Sequence, residues 1–582
     1  MEKKNGQLLQ TSIVCLLLGA AIGVVYYNAL SGDFVFDDYL LVVNHPIFPK
    51  ITNDPWSVFS WAVLGYRPFR TLSYVIDYRL GGMQPWFFHL SNVFYHWVSA
   101  CLVFLVTLRL TRDIGQAGSE ENVETRELRC WRTAIFVVFF WALHPVLTDS
   151  VTYISGRRDI LGGLCFFFAF WAYLRFRSVQ TETLLRFGWL LLSCLVYGLG
   201  ILSKESVIML PLLCWLYDVR REGFWVSFYR RWAIYGLVLL LGFAVLWHFA
   251  GGMIWKAVLK FSWHGGSMEG NFATVARIWS HYLSLMVYPK TLNADYSFDA
   301  FPVSSSFLAP DVLEALAILA VCAVLTWALS RWRPLIGYGA LWMLIAILPV
   351  SHIIPIREVA AEHYLYVPVF GFALICGVLF DAACGGRAVS AVRRSRPLIV
   401  YGLVALLLML AGMRIVDRNR DWANEEALWS ATVQTARRCV RAHYNLAGIY
   451  LRQNRIEDAK REFTIVLAIT PNHRDTLAGL GEIAFQERQY GQALGYALQA
   501  TKDGVHTFRT QYLLGWIYLA MKKLDEAENY FQKARRLRPR YADLYTGLET
   551  IAKERGDAEA AARWAETRQR LSSGVSSIQV WK

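Results

Sequence analysis

Along residues 1–416 the apolar residues come in long runs, and after Arg414 the runs stop and charged and apolar positions alternate at helical spacing. Long runs of this kind predict membrane-spanning helices, since about 20 apolar residues rising 1.5 Å each cross the roughly 30 Å hydrocarbon layer. The first run, 8–30, is uncharged and is not followed by a small-residue cleavage site, so it is read as a retained anchor. The whole pattern gives about eleven spans. Runs 133–147, 160–174 and 206–217 are short for a crossing, and their edges are correspondingly soft. Segment 272–288 carries Arg277 and His281 among aromatics and leucines, which predicts a helix lying at the outer surface rather than a span.

Beyond the runs a repeat emerges. Leu446-Ala447, Leu480-Gly481 and Leu514-Gly515 recur every 34 residues, as do Ala459, Ala493 and Ala527, while Pro471 and Pro539 close the first and third units. Small residues at a helix crossing let two antiparallel helices approach, and proline ends a unit because it cannot continue the second helix. That is the tetratricopeptide pattern. The predicted organisation is a membrane domain over 1–416, with a first outer loop over 31–85, and a repeat domain over 417–582. Repeat units are placed near 440–473, 474–507 and 508–541, with a cap over 542–571 and a degenerate leading helix at 422–435. The fold class is therefore all-α: a polytopic helical bundle followed by an α-solenoid, whose concave groove ordinarily binds polypeptide.

Charge refines this picture. The chain of 582 residues is 55% hydrophobic and carries a formal charge of +14, a balance that in a soluble protein would suggest nucleic acid. Here the Lys and Arg collect in short connections (3–4, 109–132, 175–186, 220–231, 331–333, 387–396), the distribution of cytoplasmic loops in a membrane protein. No nucleic-acid partner is expected. If those connections face the cytosol, the amino end lies inside, and the Asp37 loop and the repeat domain both lie outside. The ten cysteines fall mostly inside apolar runs without zinc or disulfide spacing.

The outer connections hold polar residues that a bilayer protein has reason to avoid unless they work. In 34–39, Phe-Val-Phe-Asp-Asp-Tyr, the carboxylates of Asp37 and Asp38 repel, so one can be raised toward a useful general base. A solvated loop with an incidental acidic pair is the plainer alternative. Arg67 follows in Tyr-Arg-Pro-Phe. The stretch 144–159 contains His144, Asp149, Arg157, Arg158 and Asp159, and the planar guanidinium suits the phosphate of a lipid carrier, although two arginines can equally anchor a helix end at headgroups. Lys204 and Glu205 sit between two short apolar runs, facing a polar cavity or paired with each other. Arg357, Glu362 and His363 open the tenth span, and Arg357 or His363 offers a further phosphate-binding cation. On the second span, His96 is expected to pack with hydrogen bonds, while the role of His89 stays open. No tight metal-ligand cluster is visible, so no metal is expected.

Taken in order, F-D-D-Y, Y-R-P-F, H-L-S-N-V-F-Y-H, H-P-V-L-T-D-S-V-T-Y-I-S-G-R-R-D, L-S-K-E-S and A-E-H-Y-L-Y-V-P-V-F-G-F, followed by the repeats, resemble the TMTC family of transmembrane O-mannosyltransferases. These are similar to protein O-mannosyltransferases of the GT-C fold. The resemblance implies a polyprenyl- or dolichyl-phosphate sugar as donor, no cofactor, and a Ser or Thr hydroxyl of an exported protein as acceptor. It places the family's acidic pair on Asp37 and Asp38, its G-R-x-D on Gly156, Arg157 and Asp159, and its K-E on Lys204 and Glu205. Where the family often has arginine, this chain has His363, which makes a cation there depend on pH. The short repeat array points to a bacterial homologue in the inner membrane with its site facing the periplasm; the alternative is the endoplasmic reticulum, lumenal side.

The reaction so implied is an inverting transfer of mannose or another hexose, with Asp37 or Asp38 as base and Arg157, Arg158, Lys204, Arg357 or His363 on the leaving phosphate. Two rivals stand beside it: a transferase or ligase that moves glycan onto lipid or polysaccharide, and a non-catalytic scaffold recruiting partners through its repeats. The first gives the repeats no task, and the second leaves the outer polar clusters unexplained.

Overall fold

A computed structural model describes residues 2–53, 67–115, 122–179, 183–259, 262–297, 300–356, 358–384 and 391–573. Among these residues the regular structure is helical, with no strand. The expected all-α class holds. Two compact units divide the chain, 1–436 and 437–582.

Among the described residues of the first unit, six helices are long and apolar enough to cross a membrane: Gly6–Ser31, Pro85–Ile114, Ile154–Ser178, Thr183–Ile201, Pro310–Ser330 and Leu398–Asp421. Two pairs bent by more than 40°, Val123–Ala142 with Pro145–Val151 and Phe224–Trp232 with Ile234–Phe249, have the form of a broken span or a re-entrant loop, and Pro334–Val350 and Pro368–Cys384 are shorter apolar helices. The remaining expected span, 206–217, is occupied by a 3-10 turn Glu205–Met209 running into the short helix Leu210–Glu222. Each apolar run thus has a helix, and the protein is a multi-pass membrane protein. Proline at the first turn starts several of them, where its missing N–H costs nothing. The outer segment expected at 272–288 is the helix Met268–Val287, capped by Ser267, whose side chain accepts from Gly270 N.

The boundary between units falls later than the expected 416/417. A single helix, Ala391–Asp421, runs through that position, and the two tryptophans after it pack into the first unit. Trp422 stacks on Tyr153 with centroids 4.8 Å apart, and Trp429 meets Phe36 edge-on at 5.1 Å. Segment 422–435 is therefore part of the first unit, packed on Phe36 and Tyr153, and not a leading repeat helix.

The second unit is a stack of helix pairs: Val440–Arg452 with Ile456–Ile469, Arg474–Gln486 with Tyr490–Gln499, Phe508–Ala520 with Leu524–Leu537, and Ala542–Glu554 with Ala558–Ser573. Phe531, fully buried, shows why the small repeat positions are needed: a Cβ on Gly515 would stand 2.8 Å from its ring, and Gly547 is closer still. Phe531→Ala is expected to destabilise this unit by about 3–5 kcal/mol, because the ring fills a groove that the two glycine-backed helices cannot collapse into. The denaturant midpoint of residues 437–582 expressed alone measures it.

Candidate functional site

The loop after the first apolar helix is built around Asp38. Phe36 takes a left-handed backbone conformation (φ 50°), an arrangement that costs a non-glycine residue of order 1 kcal/mol and persists where surroundings enforce it. Here Phe36 lies stacked over Tyr153 and against Trp429, and the Asp38 carboxylate accepts from Val35 N at 3.0 Å. The same carboxylate accepts from Ser155 N at 2.8 Å and Ser155 Oγ at 2.5 Å. Asp38 is fully buried, so it staples the loop to the turn Ile154–Gly156, just ahead of Arg157 and Arg158. Burial pushes its carboxyl up to about 7, against the hydrogen bonds from Ser155 and Val35 that favour the ionised form.

A stability consequence follows. Between an ordinary carboxylate value and about 7 the folded state holds a proton that the unfolded chain has lost, so Asp38 makes stability fall as pH rises through that window and level off above it. The melting temperature in detergent is expected to drop from pH 5 to pH 8, and the drop to be smaller in Asp38→Asn.

Asp37, next in line, is half-buried, and its backbone N–H donates to the Tyr153 hydroxyl at 3.1 Å. The Tyr153 hydroxyl is held well above its ordinary value, first by burial and then by the charges of Asp37 and Asp38, while Arg158 pulls it down. The acidic pair and Arg158 thus act on one hydroxyl.

Arg157 and Arg158 have separate fates. Arg157 is fully buried and spent on the scaffold: Nε donates to Asn92 at 2.7 Å, Nη2 to the Phe88 carbonyl at 2.7 Å, Nη1 pairs with Asp77, and the guanidinium lies 4.7 Å from the Tyr74 ring centre. It holds the helix Pro68–Gly81 against the bundle and does not face the cavity; as a phosphate ligand it is set aside for that reason. Arg158 turns the other way. It pairs with Asp159 at 3.2 Å and donates to His363 Nε2 at 3.0 Å, while His363 Nδ1 meets Asp149 at 3.0 Å. A ring that accepts at Nε2 and donates from Nδ1 is the neutral tautomer, an assignment made from the hydrogen-bond network. Asp149 also accepts from His363 N at 3.1 Å, which fixes the turn.

Lys204 completes the cluster. Its Nζ lies 2.5 Å from Asp159 and 5.3 Å from the Tyr364 ring centre. Gly162 lets it in: a Cβ there would stand 2.7 Å from Lys204 Cβ. Burial lowers the Lys204 amine and Asp159 opposes that shift. Glu205 points to the first loop, where Arg67 grips both its oxygens at 2.7 and 2.8 Å. Burial raises the Glu205 carboxyl, and Arg67 with Lys204 more than cancels this and holds it low. Asp159, Lys204, Ser206, His363, Tyr364 and Tyr366 line one cavity of about 410 Å³, with apolar walls from Phe166, Val350 and Val367. Its lining lysine is ion-paired as it stands, so an entering phosphate would share Lys204 with Asp159, and Arg158 is joined to the lining through Asp159 and His363.

Other expected site residues lie around this centre. His144 bonds the Met286 carbonyl from Nε2 at 2.9 Å and accepts from Val146 N, which joins the halves of a broken span. His89 is buried beside Gly32, and His96 bonds Tyr366 and the Ala142 carbonyl, as packing predicts. Glu362, fully buried, accepts from Asn293 N and from the Tyr296 hydroxyl at 2.8 Å, with Arg418 at 3.7 Å. Burial lifts its carboxyl to about 7 against the Arg418 charge. Its role is to tie the 293–296 segment down. Arg357 falls outside the described residues. Among the described residues no group of three or more His, Cys, Asp or Glu is placed to hold a metal ion. Sequence reasoning missed Asp77, Tyr153 and Ser155. Two of these are uncharged residues inside a motif, and Asp77 on a loop helix is indistinguishable by spacing from a solvated acid.

Fold and site together define a class: a multi-pass helical membrane protein with a charged cavity at one end of its bundle and a tetratricopeptide solenoid after it. Residues 440–473 and 508–541 match tetratricopeptide repeat models. The chain is 26% identical to protein O-mannosyl-transferase Tmtc3 of Drosophila melanogaster, over 92% of its own length and 65% of that protein's, and 25% identical to human TMTC1 over 83% and 58%. The chain is similar to these two proteins over most of its own length, and spans 58–65% of theirs. Among solved structures, ArnT from Cupriavidus metallidurans bound to undecaprenyl phosphate is similar at 15% identity over 92% of this chain and 80% of that one, with a TM-score of 0.38.

Proposed function

We propose that this protein is a membrane glycosyltransferase that moves mannose or another hexose from a polyprenyl- or dolichyl-phosphate carrier to Ser or Thr hydroxyls of exported proteins. The observation that carries the reading is that separate connections bring Asp159, Lys204 and His363 to one cavity, with Arg158 bonded to both Asp159 and His363. The names of the relatives support the reaction class.

In the proposed step, the acceptor oxygen attacks the anomeric carbon as Asp37 takes its proton, and the bond from that carbon to the phosphate oxygen breaks. The configuration inverts. The electron pair leaves with the lipid phosphate, whose new charge falls to Lys204 and Arg158, while His363 stays bonded between Arg158 and Asp149 and positions that arginine. Phosphate is already a good leaving group, so neither a covalent intermediate nor a cofactor is part of the proposal. Asp38 serves by holding the loop. The repeats hold the acceptor polypeptide. The Lys- and Arg-rich connections support a cytosolic side for the other end of the bundle, and on this reading the cavity faces the periplasm of a bacterial inner membrane, with the lumen of the endoplasmic reticulum as the alternative.

Intact-mass analysis of exported proteins from cells with and without the gene tests this. Loss of hexose-sized increments from a subset of them is expected, and an unchanged mass spectrum overturns the reading.

A further inference from the structure

We propose that the protein seats the headgroup of an anionic phospholipid in a second cavity, at the end of the bundle remote from Lys204. This cavity is a half-open recess of about 470 Å³, and its lining includes Thr111, Arg129, Thr133, Trp332, Arg333 and Asp381. Its distance from the first cavity follows from shared helices. Pro368 lines the first cavity and Asp381 the second, thirteen residues further along one helix, which is about 20 Å at 1.5 Å per residue. The helix pair from Pro334 to Val350 likewise touches the second cavity at its start and the first at its end. The inference does not rest on the glycosyl-transfer reading.

The chemistry is that of a phosphate seat. Arg129 and Arg333 supply guanidinium groups, and Thr133 brings a hydroxyl-bearing side chain to the wall, the Thr111 hydroxyl being spent on the Thr107 and Leu108 carbonyls. The acidic residue in the lining, Asp381, is already paired with Arg132, so its charge is compensated from outside the cavity. The helix Pro334–Ile347 begins at the cavity wall, and its amino end adds positive potential.

The surroundings favour a lipid over a free phosphate. Trp332 is 79% exposed at a helix end, as tryptophans at the bilayer interface are, and Leu335 and Val378 extend an apolar wall from the charged rim. A basic pocket between the ends of membrane helices is the form that headgroup sites take. Such a seat fixes the depth of the short helices Pro334–Val350 and Pro368–Cys384, which carry the first cavity's wall at their far ends.

The full-length protein, delipidated in detergent and titrated with phosphatidylglycerol, phosphatidylcholine or inorganic phosphate under native mass spectrometry, provides the test. Phosphatidylglycerol is expected to bind, Arg129→Gln and Arg333→Gln each to weaken it about fivefold, and the double variant about 30-fold, at roughly one tenfold step per 1.4 kcal/mol. Arg333 is exposed, so its single variant reads the contact without burdening the fold. Equal binding of phosphatidylcholine, equal affinity for inorganic phosphate, or unchanged phosphatidylglycerol affinity in Arg333→Gln and the double variant would overturn the proposal.

Discussion

Lys204→Met is expected to lower sugar transfer by about a hundredfold to a thousandfold, the loss that follows when one preorganised charge is taken from a developing anion. Lys204 lies in the wall of the first cavity, and its amine sits within 2.5 Å of Asp159. Methionine keeps the length and the apolar stem and removes only the charge. Asp159 would retain Arg158 as partner, so the buried carboxylate is not left bare, and the melting temperature should fall modestly. Initial rates with a polyprenyl-phosphate sugar and a Ser/Thr peptide, read beside thermal melting, separate the two effects. A variant with the parent's rate would remove Lys204 from the mechanism.

Asp37→Asn is expected to cost about 10²–10⁴ in rate with little change in stability, the range for loss of a positioned general base. Asp38→Asn should behave in the opposite sense. Its carboxylate is buried and shared among Val35 N, Ser155 N and Ser155 Oγ, so an amide there disturbs the turn before Arg157 and lowers the melting temperature, with a smaller effect on rate. The pair of variants therefore distinguishes base from staple. A dead Asp38→Asn with normal melting, beside an active Asp37→Asn, would exchange the roles assigned to the two residues.

These contrasts show how far the sequence reached. The apolar runs revealed the helices because every backbone group in lipid must be bonded within its own segment, which leaves long local patterns. The repeats were legible for a related reason: small residues at fixed spacing are what a helix crossing demands, as Phe531 between Gly515 and Gly547 shows. Residue type also marked the motif segments that converge, since charges near the membrane carry a cost that function must offset. The domain edge was less legible. Trp422 and Trp429 look like a repeat helix by spacing, and only their partners Tyr153 and Phe36 assign them to the membrane unit.

The sequence by itself determined the helical class, the order of spans, the repeats and the set of charged residues from which a site is drawn, because each of these is written in local periodicity or residue type. Tertiary structure alone decided between neighbours. Adjacent residues on a helix point about 100° apart, so Arg157 turns to Asp77 and Asn92 while Arg158 turns to His363. In the same way Asp38 is drawn under Ser155 while Asp37 stays half-buried, a difference set by contacts more than a hundred residues away in the chain.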